Sequence, residues 1–333
     1  MTQQPLGKTD EKFIVGVGSA LVDMLIRESD CFLSSIGAKK GGMTLVNGAG
    51  VIDGVLAKTP QTASVVPGGS ACNTIIGIGR LGGKAKFVGK RGDDELGALL
   101  EKALRANNVE PQLLVSPSAT GRVLSVITPD AQRSMFTYLG ASSETRPDEL
   151  LGAYFSGASL VHIEGSLLFN ESLIRAALTA AKSAGALVSL DLASYTVVEA
   201  AKPILEDLVR EYVDILIANE DEAAAFTGHK DELKALQLLS EKAQTAVVKV
   251  GKRGSHIVHK GKKTSMGIMG DGSAVDTTGA GDLWASGFLY GLVSGYSINK
   301  AARLGAACGY EVCQVVGAQI PDEGWERIRK ILI

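Results

Sequence analysis

Four apolar runs constrain the fold of this chain more than any other feature: ASLVHIEG at 158–165, ALVSLDLA at 186–193, VDILIAN at 213–219 and TAVVKVG at 245–251. Each reads as a buried strand. Helical stretches lie between them, such as NESLIRAALTAAKSAG, which a glycine ends. The same rhythm runs through the N-terminal part. FIVGVGSALVD reads as a first strand running into a turn, with Asp23 closing it. GGSACNTIIGIGRLGG reads as a helix, AKFVGKRG as a strand, and DDELGALLEKALRANNV, with acids in its first turn, as a helix. Strands alternating with helices of about 10 to 15 residues predict an α/β fold with a mostly parallel central sheet and helices on both faces.

Two stretches break the rhythm. Residues 24–66 hold short apolar pieces with glycines, and residues 118–138 alternate as a β-hairpin around TPDAQ. They are expected to form a small β-rich lid, leaving 1–23, 67–117 and 139–333 as one large α/β domain. The 333 residues suffice for that arrangement.

Charge and cysteine usage narrow the function. A net charge of −2 argues against a partner held by its nucleic-acid phosphates. Cys31, Cys72, Cys308 and Cys313 form no CxxC pair, as expected of free thiols in a reducing, cytoplasmic setting. The start, MTQQPLGKTDEKF, lacks the apolar core of a secretory signal. The uncharged run Leu283–Asn299 is short and broken by glycine and serine, so it reads as buried helix and not as a membrane span. GIGRLG at 77–82 matches the dinucleotide pattern GxGxxG, yet it follows a helix and precedes a strand, the reverse of what that site needs. No GxxxxGK[ST] loop is present. His256 and His259 sit three apart on a strand and face opposite ways, which makes no metal site.

The stretch AVDTTGAGDLWASGFL at 274–289 carries the chemistry. Gly279, Ala280 and Gly281 let successive N–H groups point into one concavity at the positive end of a helix, which suits a phosphate. Asp282 follows at the helix start, where a carboxylate should stay ionised and can take a proton from an attacking hydroxyl. A glycine-rich turn with an aspartate cap explains the same residues, and on physics alone the two readings balance.

DTTGAGD resembles the C-terminal signature of the ribokinase/PfkB family of small-molecule kinases. PGGSACNTIIGIGRLGGKAKFVGKRGDDELG, roughly 200 residues upstream, resembles its N-terminal one. The resemblance implies ATP and Mg²⁺, with Asp282 as the base and Gly279, Ala280 and Gly281 as the anion hole. It implies a monovalent cation, K⁺, at Asp276 and Thr278. Gly251 and Gly254 of KVGKRGS, with Thr277, are implied at the nucleotide, and Lys249 stands where the family usually has threonine. Asn219 and Glu222 of ANEDEA fit its N-x-x-E motif, which organises Mg²⁺ largely through water; by themselves they also make a good helix start. At the acceptor, the resemblance implies Asp23, Gly68, Gly69 and Asn73. Arg133 resembles a lid arginine that adenosine kinases aim at the transferred phosphate.

Within the family, GVGSALVD, RSMFTYLGAS and VDILIANEDEA look most like the adenosine-kinase branch. Two departures stand against a nucleoside acceptor. Ser19 replaces a usual asparagine, and Ser166 and Leu167 occupy the place of an aromatic ring that stacks on the base. Met135, Leu167 and Phe169 suit an apolar base pocket, whereas Ser19, Ser166 and Thr137 suit a free sugar. The expected reaction moves the γ-phosphoryl group of ATP to a hydroxyl, most simply a primary one, of a nucleoside or a free sugar. Partners are expected to be small molecules, with neither membrane nor nucleic acid, and the chain to be a monomer or homodimer. A non-catalytic sensor on the same fold would be expected to lack Asp282.

Overall fold

The computed structural model describes residues 12–130 and 132–333; the N-terminal stretch before Lys12, and Ala131 in the TPDAQ turn, lie outside them. Strands β1 (Phe13–Val17) and β2 (Leu21–Arg27) lead to α1 (Asp30–Ser35), β3 (Met43–Leu45), α2 (Ala49–Leu56) and β4 (Ser64–Gly68). Next come α3 (Ser70–Arg80), β5 (Lys84–Gly92), α4 (Glu95–Ala106), β6 (Val109–Ser116), β7 (Gly121–Ile127) and β8 (Arg133–Tyr138). The alternation then continues through β9 (Leu160–Glu164), α5 (Glu171–Ser183), β10 (Leu187–Asp191), α6 (Tyr195–Tyr212) and β11 (Ile215–Asn219). Helices α7 (Glu220–Thr227) and α8 (Glu232–Ser240) precede β12 (Thr245–Lys249) and the pair β13 (Ser255–His259) and β14 (Lys262–Met266). Helices α9 (Ala280–Val293), α10 (Ile298–Val312) and α11 (Asp322–Arg329) end the chain.

Nine strands form one sheet in the order β14-β13-β12-β11-β10-β9-β1-β5-β6, parallel except at β13 and β14. Its inner strands β1, β9, β10, β11 and β12 are buried on nearly every position because both faces are covered. Val15, Val161, Ile163, Val188 and Leu190 join the core beneath α5, α6, α7 and α8. Ile14, Phe87, Leu160, Ile215 and Ile217 join the opposite core, with α3, α4, α9 and α10. Phe87 and Phe288 are fully buried there, and truncating either to alanine is expected to cost about 3–5 kcal/mol. The uncharged run at 283–299 is divided by Ser297, which caps α10, and no helix among the described residues is long and apolar enough to cross a membrane.

The other five strands form a second sheet, β3-β8-β7-β2-β4. The hairpin expected around TPDAQ is the antiparallel pair β7–β8. One face of this sheet packs Met24, Ile26, Leu124, Val126 and Phe136 against Leu33 of α1 and Ile52 and Val55 of α2. The alternate residues look the other way. Asp23, Val123 and Thr137 lie in one cross-strand row, Leu25, Ser125 and Met135 in the next, and Ile127 and Arg133 in a third. Asp23 therefore does not close the first strand, as the sequence suggests. Gly18–Ala20 interrupt the extended run, and Asp23 sits inside β2, across which the expected 23/24 boundary falls.

Candidate active site

The parallel strands β9, β10, β11 and β12 lie side by side and end on Glu164, Asp191, Asn219 and Lys249, while Ser19 follows the end of neighbouring β1. Polar side chains thus collect along the carboxyl edge of the sheet, the usual ligand position in such folds.

Two helix starts meet above that edge. Glycines with positive φ precede both: Gly69 (97°) before α3 and Gly279 (72°) before α9. Gly69 is required for a second reason, since a Cβ there would lie 2.3 Å from the Ser19 carbonyl oxygen. Asp282, in the first turn of α9, accepts from Ser70 Oγ at 2.7 Å and from Asn73 Nδ2 at 3.1 Å, both on α3. Thr74 Oγ1 donates to the Asp282 carbonyl at 3.1 Å. Burial pushes the Asp282 carboxyl up to about 6, with the Ser70 and Asn73 hydrogen bonds pulling the other way. The helix position alone predicted an ordinary ionised carboxylate; loss of water outweighs it. Asn73 Oδ1 is buried with no hydrogen-bond partner. In the turn before α9, the Ala280 amide donates to the Thr277 carbonyl at 3.2 Å, whereas no backbone hydrogen bond among the described residues takes the amides of Gly279 and Gly281.

The second sheet reaches this point. The Asp23 carboxylate lies against Gly68, where an added Cβ would meet Oδ1 at 2.5 Å. Burial raises its carboxyl to about 7, opposed by Arg133 and assisted by Asp282 and Asp276. Arg133 Nη1 donates to Thr278 Oγ1, joining β8 to the DTTGAGD loop. Asp276 accepts from the Thr278 amide at 3.0 Å and the Gly317 amide at 2.9 Å, and also from the Thr278 hydroxyl. Burial alone would raise its carboxyl, but these donors hold it below the usual range.

At the start of α9 opens a cavity of about 350 Å³. Asn219, Gly251, Gly254, Thr277, Ala280 and Gly281 line it, all of them singled out from sequence, together with Lys249. Trp284, Tyr310 and Cys313 line it as well and carry no sequence signal. Its size falls in the range of small-molecule sites. Asn219 caps α7 and makes both halves of a capping box: its side chain accepts from the Glu222 amide at 2.9 Å, and its amide donates to Glu222 Oε2 at 2.8 Å. Asn219 Nδ2 donates to Glu222 Oε1 at 2.7 Å. Each Glu222 oxygen thus accepts one hydrogen bond from Asn219, which fixes the carboxylate against the helix start. Burial raises Glu222 to about 7, with Asp191 adding to the effect and Lys249 opposing it. Among the described residues no cluster of three or more His, Cys, Asp or Glu side chains suits a metal. Mg²⁺, which keeps its waters and binds substrate phosphates, needs none.

Lys249 Nζ donates to Asp191 Oδ2 at 2.9 Å. Burial opposes both charges, yet their mutual attraction holds Asp191 below and Lys249 above the usual values.

One buried carboxylate, at the end of β9, gathers donors from three elements. Glu164 accepts from the Ser19 amide at 2.9 Å, from the Ala71 amide at 3.1 Å and from the Ser166 hydroxyl. Both serines that depart from the adenosine-kinase pattern thus converge on one residue. Leu167 is buried in the core and lines a small cavity with Ser19, whereas Phe169 is 68% exposed. Glu164 and Asp191 went unnoticed in the sequence, although each is an acid ending an apolar strand.

The sequence matches the pfkB family of carbohydrate kinases over residues 37–324. It is 31% identical over 256 residues to the 5-dehydro-2-deoxygluconokinase of Geobacillus thermodenitrificans, covering 72% of this chain and 76% of that relative. A probable sugar kinase from Rhizobium etli superposes with a TM-score of 0.87 at 30% identity, covering 96% of this chain and 98% of its own. The adenosine kinase of Sinorhizobium meliloti superposes with a TM-score of 0.86 at 32% identity, covering 96% and 99%.

Proposed function

The chain belongs to the PfkB family of carbohydrate kinases, ATP-dependent phosphotransferases, and from that premise we propose that it phosphorylates a primary hydroxyl of a sugar, foremost the ribose of a nucleoside. One observation carries the reading: Asn73 Oδ1 lies buried and unpaired beside the Asp282 carboxylate. A hydroxyl placed there donates to Asn73 or Asp282 and lies between the large cavity and Asp23.

Asp23 accepts from neighbouring sugar hydroxyls and Gly68 and Gly69 allow close approach. ATP occupies the cavity lined by Asn219, Gly251, Gly254 and Thr277, with its terminal phosphates toward Gly279–Gly281. The acceptor oxygen attacks the γ-phosphorus in line with the departing ADP oxygen, and Asp282 takes the hydroxyl proton as the new P–O bond forms. The free amides of Gly279 and Gly281 and the Arg133 guanidinium stabilise charge on the transferring group. Mg²⁺, when bound, neutralises phosphate charge, and Asn219 and Glu222 would hold it through water. Asp276 and Thr278 offer oxygens to a monovalent cation such as K⁺, which a rate dependence on KCl tests. The five-stranded sheet acts as a lid that keeps water from the γ-phosphate.

A free-sugar acceptor is favoured by the polar group of Ser19, Ser166 and Glu164, with Ser166 and Leu167 at the position where the adenosine-kinase branch has an aromatic residue. Release of ADP with a panel of ribonucleosides and free sugars, 5-dehydro-2-deoxygluconate included, separates the two. Turnover with adenosine supports the first reading, turnover with free sugars alone supports the second, and no turnover with any acceptor overturns both. Asp282→Asn is expected to lose about 10²–10⁴-fold in rate; a variant as fast as wild type refutes the assigned base.

A further inference from the structure

Building on that reading, we infer that Lys249 is a catalytic residue whose ammonium binds the terminal phosphates of the nucleotide, with Asp191 as its positioning residue. Lys249 ends β12 and lines the nucleotide cavity together with Thr277, Ala280 and Gly281. Its Nζ reaches the start of α9: a Cβ added at Gly281 would lie 2.9 Å from it, nearer than any other atom beyond that turn of the helix. The ammonium therefore stands against the residue whose free amide belongs to the phosphate cradle, one position before Asp282.

An ammonium carries three donors. Asp191 takes one, and no other hydrogen bond to Nζ occurs among the described residues, leaving two N–H groups for a ligand. Asp191 is itself fixed, accepting from the Ala193 amide at 3.0 Å, and its side chain is 9% exposed. Three carboxylates, Asp191, Glu222 and Asp282, act on this one cation. A polyphosphate adds more negative charge to a region that already has an excess. Lys252 also lines the cavity but is exposed, so the largely covered Lys249 ammonium is the better-placed charge to offset it, and where water is scarce its effect is larger.

A purely structural ion pair predicts something different, so the test separates the pair from its proposed use. The measurements are kcat, acceptor KM, thermal midpoint, and calorimetric affinity for ADP and AMP. Lys249→Met leaves Asp191 buried and unpaired; the double variant Asp191→Asn with Lys249→Met removes both charges and relieves that defect. The double variant is expected to regain the thermal midpoint of wild type while remaining about 100-fold low in kcat. It should bind ADP about ten-fold more weakly and AMP unchanged. Asp191→Asn alone keeps the ammonium but frees it, lowering kcat about ten-fold with ADP affinity held. A double variant with wild-type kcat and wild-type ADP affinity overturns the inference. If wild type turns over no acceptor, the kinase reading fails by itself, and the ADP-to-AMP affinity ratio still decides the role of Lys249.

Discussion

Ser70→Ala should change the proton affinity of the base without touching the base. Asp282 sits at about 6 because burial raises it and the Ser70 and Asn73 donors oppose that rise. The Ser70 hydroxyl donates to Oδ1 at 2.7 Å. A hydrogen bond to a charged group contributes about 1.5–3 kcal/mol, and about 1.4 kcal/mol is one pKa unit. Removing the hydroxyl therefore lifts the carboxyl by about one to two units, to about 7.5 at the midpoint. The ratio of variant to wild-type kcat/KM, taken pH by pH, cancels titrations that the substitution leaves alone, so the shift of Asp282 dominates it. That ratio is expected to be about one at pH 9.5, about one-quarter at pH 7 and about one-thirtieth at pH 5. Initial rates with ATP saturating and acceptor limiting give it directly. A ratio equally depressed at every pH would mean that Ser70 only packs, and an unmoved limb would refute the assignment of that limb to Asp282.

Gly279→Ala places a side chain at φ 72°, with its Cβ 2.7 Å from that of Ala318. It should cost about 1–2 kcal/mol in a denaturant titration, with a matching fall in kcat as the cradle shifts. Stability should rise on mild acidification. Asp23 and Glu222 at about 7 and Asp282 at about 6 bind protons in the fold that the unfolded chain, with ordinary carboxyls, does not take up until near pH 4. His162, pushed down to about 4 by burial, works in the opposite direction. The net gain from pH 8 to pH 6 is about 2 kcal/mol, read by urea titration at the two pH values; a flat or inverted dependence would show that these carboxylates are not desolvated. Glu164→Gln should raise acceptor KM about ten-fold and leave KM for ATP unchanged; an equal effect on both would show that Glu164 supports the whole edge of the sheet and not the acceptor wall.

The strand–helix rhythm was legible because doubly buried strands must be apolar throughout, and that requirement is local. The glycine-rich turn before α9 was legible for the same reason: it needs small residues next to one another in sequence. Asp23 shows where such reasoning stops. Three residues separate β1 from β2, and side-chain pattern does not reveal that the chain leaves one sheet for another between them. Ser70, Glu164 and Asp191 take their roles from partners far along the chain, as when Ser70 bonds Asp282 and Glu164 bonds Ser19. A serine beside glycines and an acid at a strand end are commonplace on their own. The pairing of Lys249 with Asp191 is likewise invisible until β10 and β12 are set on either side of β11.

Helices α3 and α9 meet so closely that a Cβ at Gly77 would fall 2.4 Å from Ser286 Oγ, and Ser286 in turn donates to the Thr74 carbonyl at 2.8 Å. Asp282 and both of its donors, Ser70 and Asn73, ride on this locked pair, whereas Asp23, Arg133, Met135 and Thr137 arrive on the other sheet. On the proposed function, acid–base strength and much of the acceptor's recognition are therefore inherited on separate elements. A lineage, or an engineer, is free to exchange the five-stranded sheet for a new acceptor while the proton-transfer half stays as it is.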